Sequence, residues 1–183
     1  DEIFVQPASS DDGAAIGAYF LSHKNLKQEL KTQRFDDFYL GSSYSNSDIE
    51  KSLKAHDVEW KKLDDVFNYT AKKLNEKKII GWFQGGAEFG PRALGNRSIL
   101  TSPFPKDMKD FLNARVKFRE EFRPFAPAIL YEYTKEYFHI EQESPHMLIN
   151  AKVKDEKAEE VAAVIHIDNT ARVQTVKPEN NIR

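Results

Sequence analysis

The sequence predicts an α+β fold, in which a mixed sheet is flanked by helices. Amphipathic helical segments dominate the first part of the chain, and strand-like segments dominate the second part. Hydrophobic residues make up 40% and charged residues 31% of the 183 residues, which permits a packed core. This length suits one domain of ordinary size or slightly more.

The first predicted element is a short strand at residues 3–7, "IFVQP", which Pro7 ends. A helix is predicted next, because polar residues 9–12 offer N-cap oxygens and the alanines that follow suit a packed helix face. Strand, turn and helix together make half of an α/β unit, and we expect the other strands of that unit outside this chain. Residues 31–45 are aromatic, polar and serine-rich, which predicts a linker or loop.

Two helices and two strands are predicted in the next part of the chain. Ser47 and Glu50 fit a capping box, so a short helix is expected after them. Apolar residues at i, i+3 and i+4 spacing in "DVFNYTAKKLNEKK" predict an amphipathic helix with lysines at its C-terminal end. "KIIGWFQ" then predicts a buried strand, and "SILTSP" predicts another that ends at Pro103.

The second half is mostly strand-like. "PKDMKDFLNARVKFREE" predicts a helix that begins near Pro105. Four later segments predict strands: "FAPAILYE", "HMLINAKV", "EVAAVIHI" and "ARVQTVK". The charged residues 152–160 between them predict a solvated loop.

Composition excludes several classes of protein. The net charge of −2 gives no overall bias toward nucleic acid or membrane surfaces. The chain has no cysteine, which excludes disulfides and thiolate metal sites and fits a cytoplasmic protein. No apolar run approaches the roughly 20 residues of a transmembrane helix. The start "DEIFVQPASS" lacks a Met and a signal peptide, so we expect a fragment of a longer protein.

The stretch "GWFQGGAEFGPRALGNRSIL" is a candidate ligand loop. Four glycines surround Glu88 and Arg92, and glycine lets backbone N–H groups approach an anion closely. The guanidinium groups of Arg92 and Arg97 match phosphate or carboxylate oxygens. An ordinary surface turn, whose arginines pair with nearby acids, is an equally good interpretation of the spacing. The stretch is not a P-loop, because Asn96 follows the second glycine.

Positive charge accumulates after this loop. Residues 92–123 contain eight basic and four acidic side chains, in a chain that is slightly acidic overall. Arg123 lies within "FRPFAP" and Lys117 lies between Val116 and Phe118, so we expect both cations to be partly buried and to meet an anion. These residues suggest a pocket for a nucleotide triphosphate or another phosphorylated small molecule. Scattered surface salt bridges remain the alternative.

A second polar pattern lies in "HIDNTARVQTV". His166, Asp168, Thr170 and Arg172 alternate along a predicted strand, so all four are expected on one face. An edge strand with a polar outer face is the alternative, and from this pattern alone it is favoured. Histidines 139, 146 and 166 stand singly and show no zinc spacing.

Together "GWFQGGAEFGPRALGNRSIL", "LNARVKFREEFRPFAPAIL" and "HIDNTARVQTV" resemble the C-terminal domain of the O-carbamoyltransferases of nodulation, cephamycin, novobiocin and tobramycin biosynthesis. The resemblance covers residues 78–179 and implies a YrdC/Sua5-like twisted mixed sheet. "FVQPASSDDGAAIGA" resembles the tail of that family's Kae1-like N-terminal domain. The implied division is a domain tail at 1–30, a linker at 31–45 and an incomplete YrdC-like domain at 46–183.

The resemblance implies a transferase that binds ATP, Mg²⁺ and carbamoyl phosphate, forms carbamoyl-adenylate and releases pyrophosphate. The carbamoyl group then passes to a hydroxyl-bearing acceptor in the N-terminal domain, which holds an iron-like metal. Asp11 matches one ligand of that metal, and its histidine partners are expected upstream of this chain. The residues matched to phosphate binding and catalysis are Arg92, Lys117, Arg123 and Arg172, with Asn96, Arg97, Asn113, His166 and Asp168 as further binding candidates.

The sequence departs from the family pattern at several positions. Gly86 and Ala87 stand where the family often has Arg and Met, Asn169 stands for a usual glycine, and Asp12 for a usual alanine. A C-terminal Asn-Thr-Ser-Phe-Asn segment is absent, so we expect weak or no activity of the chain alone. The alternative functions are an RNA- or nucleotide-binding YrdC-like module and a degenerate structural domain. Net charge argues against nucleic acid, and a homodimer through residues 1–30 is an open expectation.

Overall fold

The computed structural model describes residues 5–29 and 38–178. The helices are α1 (Asp11–Asn25), α2 (Asn46–Ala55), α3 (Val66–Asn75), α4 (Met108–Leu112) and α5 (Thr134–Tyr137). Helix α4 continues as a π-helical turn, Asn113–Lys117, and three 3₁₀ turns cover Tyr131–Tyr133, Asp155–Lys157 and Ala162–Val164. The strands are β1 (Ile80–Phe83), β2 (Arg97–Leu100), β3 (Ala128–Leu130), β4 (Phe138–His139), β5 (Asn150–Val153), β6 (Thr170–Arg172) and β7 (Gln174–Val176). The predicted α+β class is confirmed, and the YrdC/Sua5-like architecture stays a prediction.

The strands form three small sheets. β1 and β2 are an antiparallel pair, and the loop between them is the glycine-rich stretch. β3 and β7 are a parallel pair, with Ala128 opposite Gln174. β4, β5 and β6 form an antiparallel sheet in that order. Since β6 leads into β7 after one residue, Val173, the second and third sheets are covalently linked at the place where Arg172 lies.

The sheet β4-β5-β6 has one apolar and one polar face, because side chains alternate along a strand. Register pairs Phe138 with Val153 and Ala151 with Ala171, and all four are buried. They belong to the main core cluster, whose other buried members are Ile140, Val161, Val164 and Val173. The opposite face carries the polar residues His139, Asn150, Lys152, Thr170 and Arg172. One face of this sheet therefore packs in the core, and the other presents polar side chains.

Several predicted elements are confirmed: α3, the two strands around the glycine loop, the helix after Pro105 and the strands at 128–130 and 150–153. The predicted strand "EVAAVIHI" is wrong, because this run forms the 3₁₀ turn Ala162–Val164, with Val161, Ala163 and Val164 buried. A short apolar run does not by itself distinguish a buried strand from a buried turn. β1 is only half-buried, since its alternate residues are exposed.

Helix caps differ from the prediction at two places. α2 begins at Asn46, and its capping box is made by Ser45 and Asp48 rather than by Ser47 and Glu50. The hydroxyl of Ser45 accepts the Asp48 N–H at 3.2 Å, and the Asp48 carboxylate accepts the Ser45 N–H at 3.0 Å. α1 has no buried residues, so its alanine-rich face is not packed as predicted. Residues 3 and 4 of the predicted first strand lie outside the described residues, and residues 5 and 6 form no strand.

The apolar face of the sheet predicts a specific stability effect. Phe138 is 2% exposed, so Phe138→Ala should destabilise the domain by about 3–5 kcal/mol through lost burial and a residual cavity. Amide hydrogen exchange of peptides covering β5 and β6 in the full-length protein measures this as faster exchange. Phe122→Ala is the control, because Phe122 is 79% exposed and its removal should leave those rates unchanged. Equal effects of the two substitutions would contradict the assigned core.

Candidate functional site

The glycine-rich loop between β1 and β2 is folded around one carboxylate oxygen. Oε1 of Glu88 accepts backbone N–H groups from Leu94 at 2.7 Å, Asn96 at 2.8 Å and Arg97 at 3.2 Å. Burial alone raises the pKa of Glu88, but these backbone hydrogen bonds together lower it below the ordinary value of 4.5. These three N–H groups therefore serve the protein's own carboxylate, and the prediction that loop N–H groups cradle a ligand anion is wrong for them.

Asn96 and Arg97, both predicted binding residues, hold the loop itself. The buried Asn96 side chain donates to the Gly86 carbonyl at 2.7 Å and accepts from the Gln84 side chain at 3.2 Å. The Arg97 guanidinium donates to the carbonyl oxygens of Gln84 at 2.6 Å and Ser42 at 2.9 Å, and it stacks 3.6 Å from the Phe83 ring centroid. Because their polar atoms are used in this way, these two side chains position the loop.

Part of the predicted linker, residues 38–42, is bonded to the loop along its backbone. Gly41 donates its N–H to the Ala87 carbonyl at 2.9 Å, and Ala87 donates to the Ser42 carbonyl at 3.0 Å. A Cβ added at Gly86 would lie 2.5 Å from the Tyr39 carbonyl oxygen. Glycine at position 86 is thus required by close backbone approach, and the arginine that the resemblance predicts at this position does not fit this arrangement.

A cluster of guanidinium groups forms where the loop meets the polar face of the sheet. The Nε atoms of Arg92 and Arg172 are buried, and neither has a hydrogen-bond partner among the described residues. Burial lowers the pKa of Arg172, and the nearby charges of Arg92 and Arg119 lower it further. Within residues 5–29 and 38–178, none of these three arginines forms an ion pair. We call Arg92, Arg119 and Arg172 the arginine cluster.

Arg119 is the member that sequence reasoning did not single out. Its Nε donates to Oδ1 of Asn113 at 2.8 Å, and its guanidinium lies 4.7 Å from the Phe125 ring centroid. Asn113 is fully buried and also donates to the carbonyl oxygens of Glu121 at 3.2 Å and Arg123 at 2.9 Å. Asn113 therefore positions the basic loop at residues 118–123. The sequence feature that could have identified Arg119 is its position in the same motif as Asn113 and Arg123.

Lys117 and Arg123, the other two predicted phosphate-binding cations, are both exposed. Lys117 is exposed at the end of the π-helical turn, so its predicted partial burial is wrong. Its neighbour Phe118 adopts φ 49° and is 83% exposed, so it does not bury Lys117. Arg123 meets an anion as predicted, namely Glu120 at 2.8 Å, but both side chains are about half exposed.

His166 and Asp168 lie in a turn, not in a strand as predicted. The turn is closed by the His166 N–H on the Thr170 carbonyl at 2.8 Å, and Asn169 adopts φ 60° within it. Asparagine tolerates this left-handed conformation better than most residues, so it suits a position where the resemblance predicts glycine. Thr170 and Arg172 are in β6 and share its polar face as predicted. Nδ1 of His166 contacts Thr170 Oγ1 at 3.1 Å, so the turn folds His166 back onto that face.

The described residues do not form a metal centre by themselves. Asp11 is exposed at the first position of α1, and no group of three His, Cys, Asp or Glu side chains occurs within the described ranges. Asp11 alone supplies too few donors to hold a metal ion. In the same ranges, no helix is both long enough and apolar enough to cross a membrane.

The geometry defines an α+β domain in which Arg92 and Arg172 each hold a shielded Nε atom that has no hydrogen-bond partner among the described residues. A family model described as "Carbamoyltransferase C-terminus" matches residues 71–183, and the chain belongs to this family. The nodulation protein NolNO of Sinorhizobium fredii is 43% identical over 96% of this chain and 27% of its own length. NolO of Bradyrhizobium diazoefficiens is 39% identical over 99% and 34%. The 3'-hydroxymethylcephem-O-carbamoyltransferase of Streptomyces clavuligerus is 34% identical over 98% and 32%. The chain thus spans about a third of the length of these relatives.

The Glu88 network predicts a pH effect on the loop. The folded-state pKa of Glu88 lies below 4.5, so its contribution to stability is complete above about that pH and is lost as the pH falls through the folded-state value. Amide hydrogen exchange of residues 90–97, corrected for intrinsic rates, should accelerate on acidification in the parent protein. Glu88→Gln should exchange faster already at pH 7 and lose that acid-dependent step. An unchanged pH profile in Glu88→Gln would refute the assignment.

Proposed function

We propose that the chain is the C-terminal part of an O-carbamoyltransferase, in which the arginine cluster binds the phosphate groups of carbamoyl phosphate and ATP. The observation that carries this proposal is the pair of buried, unpartnered Nε atoms of Arg92 and Arg172. A buried cation without a partner is costly, so a site that keeps like charges together is built for an anion that arrives from outside. The named O-carbamoyltransferase among the relatives supports the same activity.

The proposed reaction has three steps. Water attacks carbamoyl phosphate and gives carbamate and inorganic phosphate. A carbamate oxygen then attacks the α-phosphorus of ATP, and the bond to pyrophosphate breaks, which yields carbamoyl-adenylate. The acceptor hydroxyl oxygen finally attacks the carbamoyl carbon, a proton leaves that oxygen, and AMP departs. In the second step negative charge spreads over oxygens of the transferring group, and fixed guanidinium groups stabilise it without forming bonds to it.

Each cation has a separate expected task in this proposal. Arg92 and Arg172 hold the phosphate groups from the buried side, and Arg119 adds charge from the basic loop. Lys117 and Arg123 are both exposed. Lys117 ends the π-helical turn before the basic loop, and Arg123 ends the loop itself. Both side chains can therefore reach a bound nucleotide from the solvent side. A phosphate at Arg123 has to replace Glu120 as its partner. Mg²⁺ is expected to enter with the nucleotide phosphates.

Burial of the cluster favours a small anion over a nucleic acid. A nucleic-acid strand is bound by exposed lysine and arginine side chains that track its backbone. The Nε atoms of Arg92 and Arg172 are instead shielded from solvent, which suits a single phosphate group that fits between side chains.

Arg172 provides the sharpest test, because its charge should matter for function and count against stability. In the full-length protein, Arg172→Met should lower pyrophosphate release that depends on carbamoyl phosphate by at least about 100-fold. Thermal stability should stay equal or rise, because an unpaired half-buried charge is replaced by an apolar group of similar length.

Arg115→Ala is the matched control, because Arg115 belongs to the same basic stretch, is exposed and forms no ion pair within the described ranges. Its pyrophosphate release should match that of the parent. If Arg172→Met keeps full activity, or loses activity only together with its fold, the assignment of the cluster is wrong.

A further inference from the structure

His166 presents a buried nitrogen atom that the arginine cluster does not explain. Its Nε2 is shielded from solvent and has no hydrogen-bond partner among the described residues. The ring rests against Thr170, which shares the polar face of β6 with Arg172. Burial lowers the pKa of His166, the Asp168 charge raises it in part, and the Arg172 charge lowers it again, so Arg172 is close enough to affect the ring. The atom therefore belongs to the same site as the guanidinium groups.

The hydrogen bonds around Thr170 fix the tautomer of His166. Thr170 Oγ1 lies 2.7 Å from Oδ1 of Asp168, and the Thr170 N–H donates to the same oxygen at 3.1 Å. The hydrogen bonds from Thr170 lower the pKa of Asp168, which is thus a carboxylate at neutral pH and only accepts. The single hydroxyl proton of Thr170 goes to Asp168, so Thr170 Oγ1 must accept from Nδ1–H of His166. In the neutral ring Nε2 then carries a lone pair and is an acceptor.

A lone acceptor among guanidinium groups has a specific use. Arginine side chains only donate, so they recognise phosphate and carbonyl oxygens and cannot recognise an N–H group. Carbamoyl phosphate carries an amino group a few bonds from its phosphate, whereas acetyl phosphate has a methyl group of similar size at that position. We propose that Nε2 of His166 accepts a hydrogen bond from the amino group of carbamoyl phosphate, and that this contact selects carbamoyl phosphate over acetyl phosphate. This inference rests on the proposed function.

The selectivity follows from an asymmetry of buried hydrogen bonds. A site built to pair with an N–H group rejects an analogue that lacks it, because the buried acceptor is then left unpaired. We expect the parent protein to bind carbamoyl phosphate roughly 10- to 100-fold more tightly than acetyl phosphate. Inorganic phosphate, which has no acyl group, reports on the arginine cluster alone.

The experiment measures binding of carbamoyl phosphate, acetyl phosphate, inorganic phosphate and ATP to the full-length protein by titration calorimetry, each in the absence of the others. His166→Phe keeps a planar ring and removes the acceptor. Thr170→Val keeps the shape of residue 170 and removes the group that fixes the tautomer. His139→Phe is the control, since His139 is exposed on the same face of the sheet.

We expect His166→Phe to weaken carbamoyl phosphate to the affinity of acetyl phosphate and to leave acetyl phosphate and inorganic phosphate unchanged. Thr170→Val should reduce the selectivity in part, and His139→Phe should preserve it. Equal weakening of all three anions would show a merely structural role and would overturn the proposal. An effect confined to ATP would assign the donor to the nucleotide and would also overturn it.

Failure of the proposed function gives a different result. If the parent protein binds none of the phosphates, or if Arg172→Met leaves inorganic phosphate binding unchanged, the arginine cluster is not the anion site and both proposals fall. If Arg172→Met abolishes phosphate binding but the parent binds acetyl and carbamoyl phosphate equally, only the role of His166 is refuted.

Discussion

One carboxylate oxygen organises the part of the molecule on which the site depends. Oε1 of Glu88 gathers three backbone N–H groups from residues 94–97 and so closes the glycine-rich loop on itself. The carbonyl of Leu94 then accepts hydrogen bonds from Gln174 at 2.9 Å and Tyr39 at 3.2 Å. Gln174 begins β7, so the loop is bonded to the strand that begins two residues after Arg172. Because Arg92 lies between Glu88 and Leu94, this sequence of contacts brings it to Arg172.

The two faces of the sheet β4-β5-β6 explain how the chain tolerates an unpaired cationic cluster. The apolar face is anchored by Phe138, Val153 and Ala171, all close to fully buried. Burial on that face offsets the repulsion that like charges create on the other face. Alternation along a strand means that Ala171 and Arg172 cannot exchange environments without a shift of register. Neighbouring residues of one strand therefore serve stability and the proposed anion site.

The local pattern of apolar residues predicts those elements in which the pattern repeats over several turns. α3 is an example, since its apolar residues recur over three turns. The caps of α2 show the limit: Ser45 and Ser47 are each followed three residues later by an acid, and only backbone geometry decides between them. Likewise, the glycine-rich motif and the excess of positive charge after it predict Arg92 as an anion-binding candidate, whereas Arg172 is a candidate only through the family resemblance. Their proximity could not be predicted, because Gln174 and Leu94 are 80 residues apart.

The roles of polar residues inside the loops were the least predictable part. Asn96, Arg97 and Asn113 have the side chains expected of ligand contacts, yet each is used to hold backbone carbonyl oxygens of this chain. A sequence motif identifies the residue types that a site needs, but it does not distinguish residues that contact the ligand from residues that hold the backbone. Arg119 shows the converse, because it joins the cluster through Asn113 and Phe125 although only its charge was counted.

The departures from the family pattern follow from the same contacts. Asn169, where the resemblance predicts glycine, adopts a left-handed conformation that asparagine accepts, and it lies in the turn that carries His166. The resemblance predicts an arginine at position 86, but any Cβ there would meet the carbonyl of Tyr39. The docking of residues 38–42 on the loop thus depends on glycine at position 86. A side chain at position 86 requires residues 39–41 to move, and the Tyr39 hydrogen bond to Leu94 would move with them. Position 86 therefore acts on the loop through the attachment of the loop to residues 38–42.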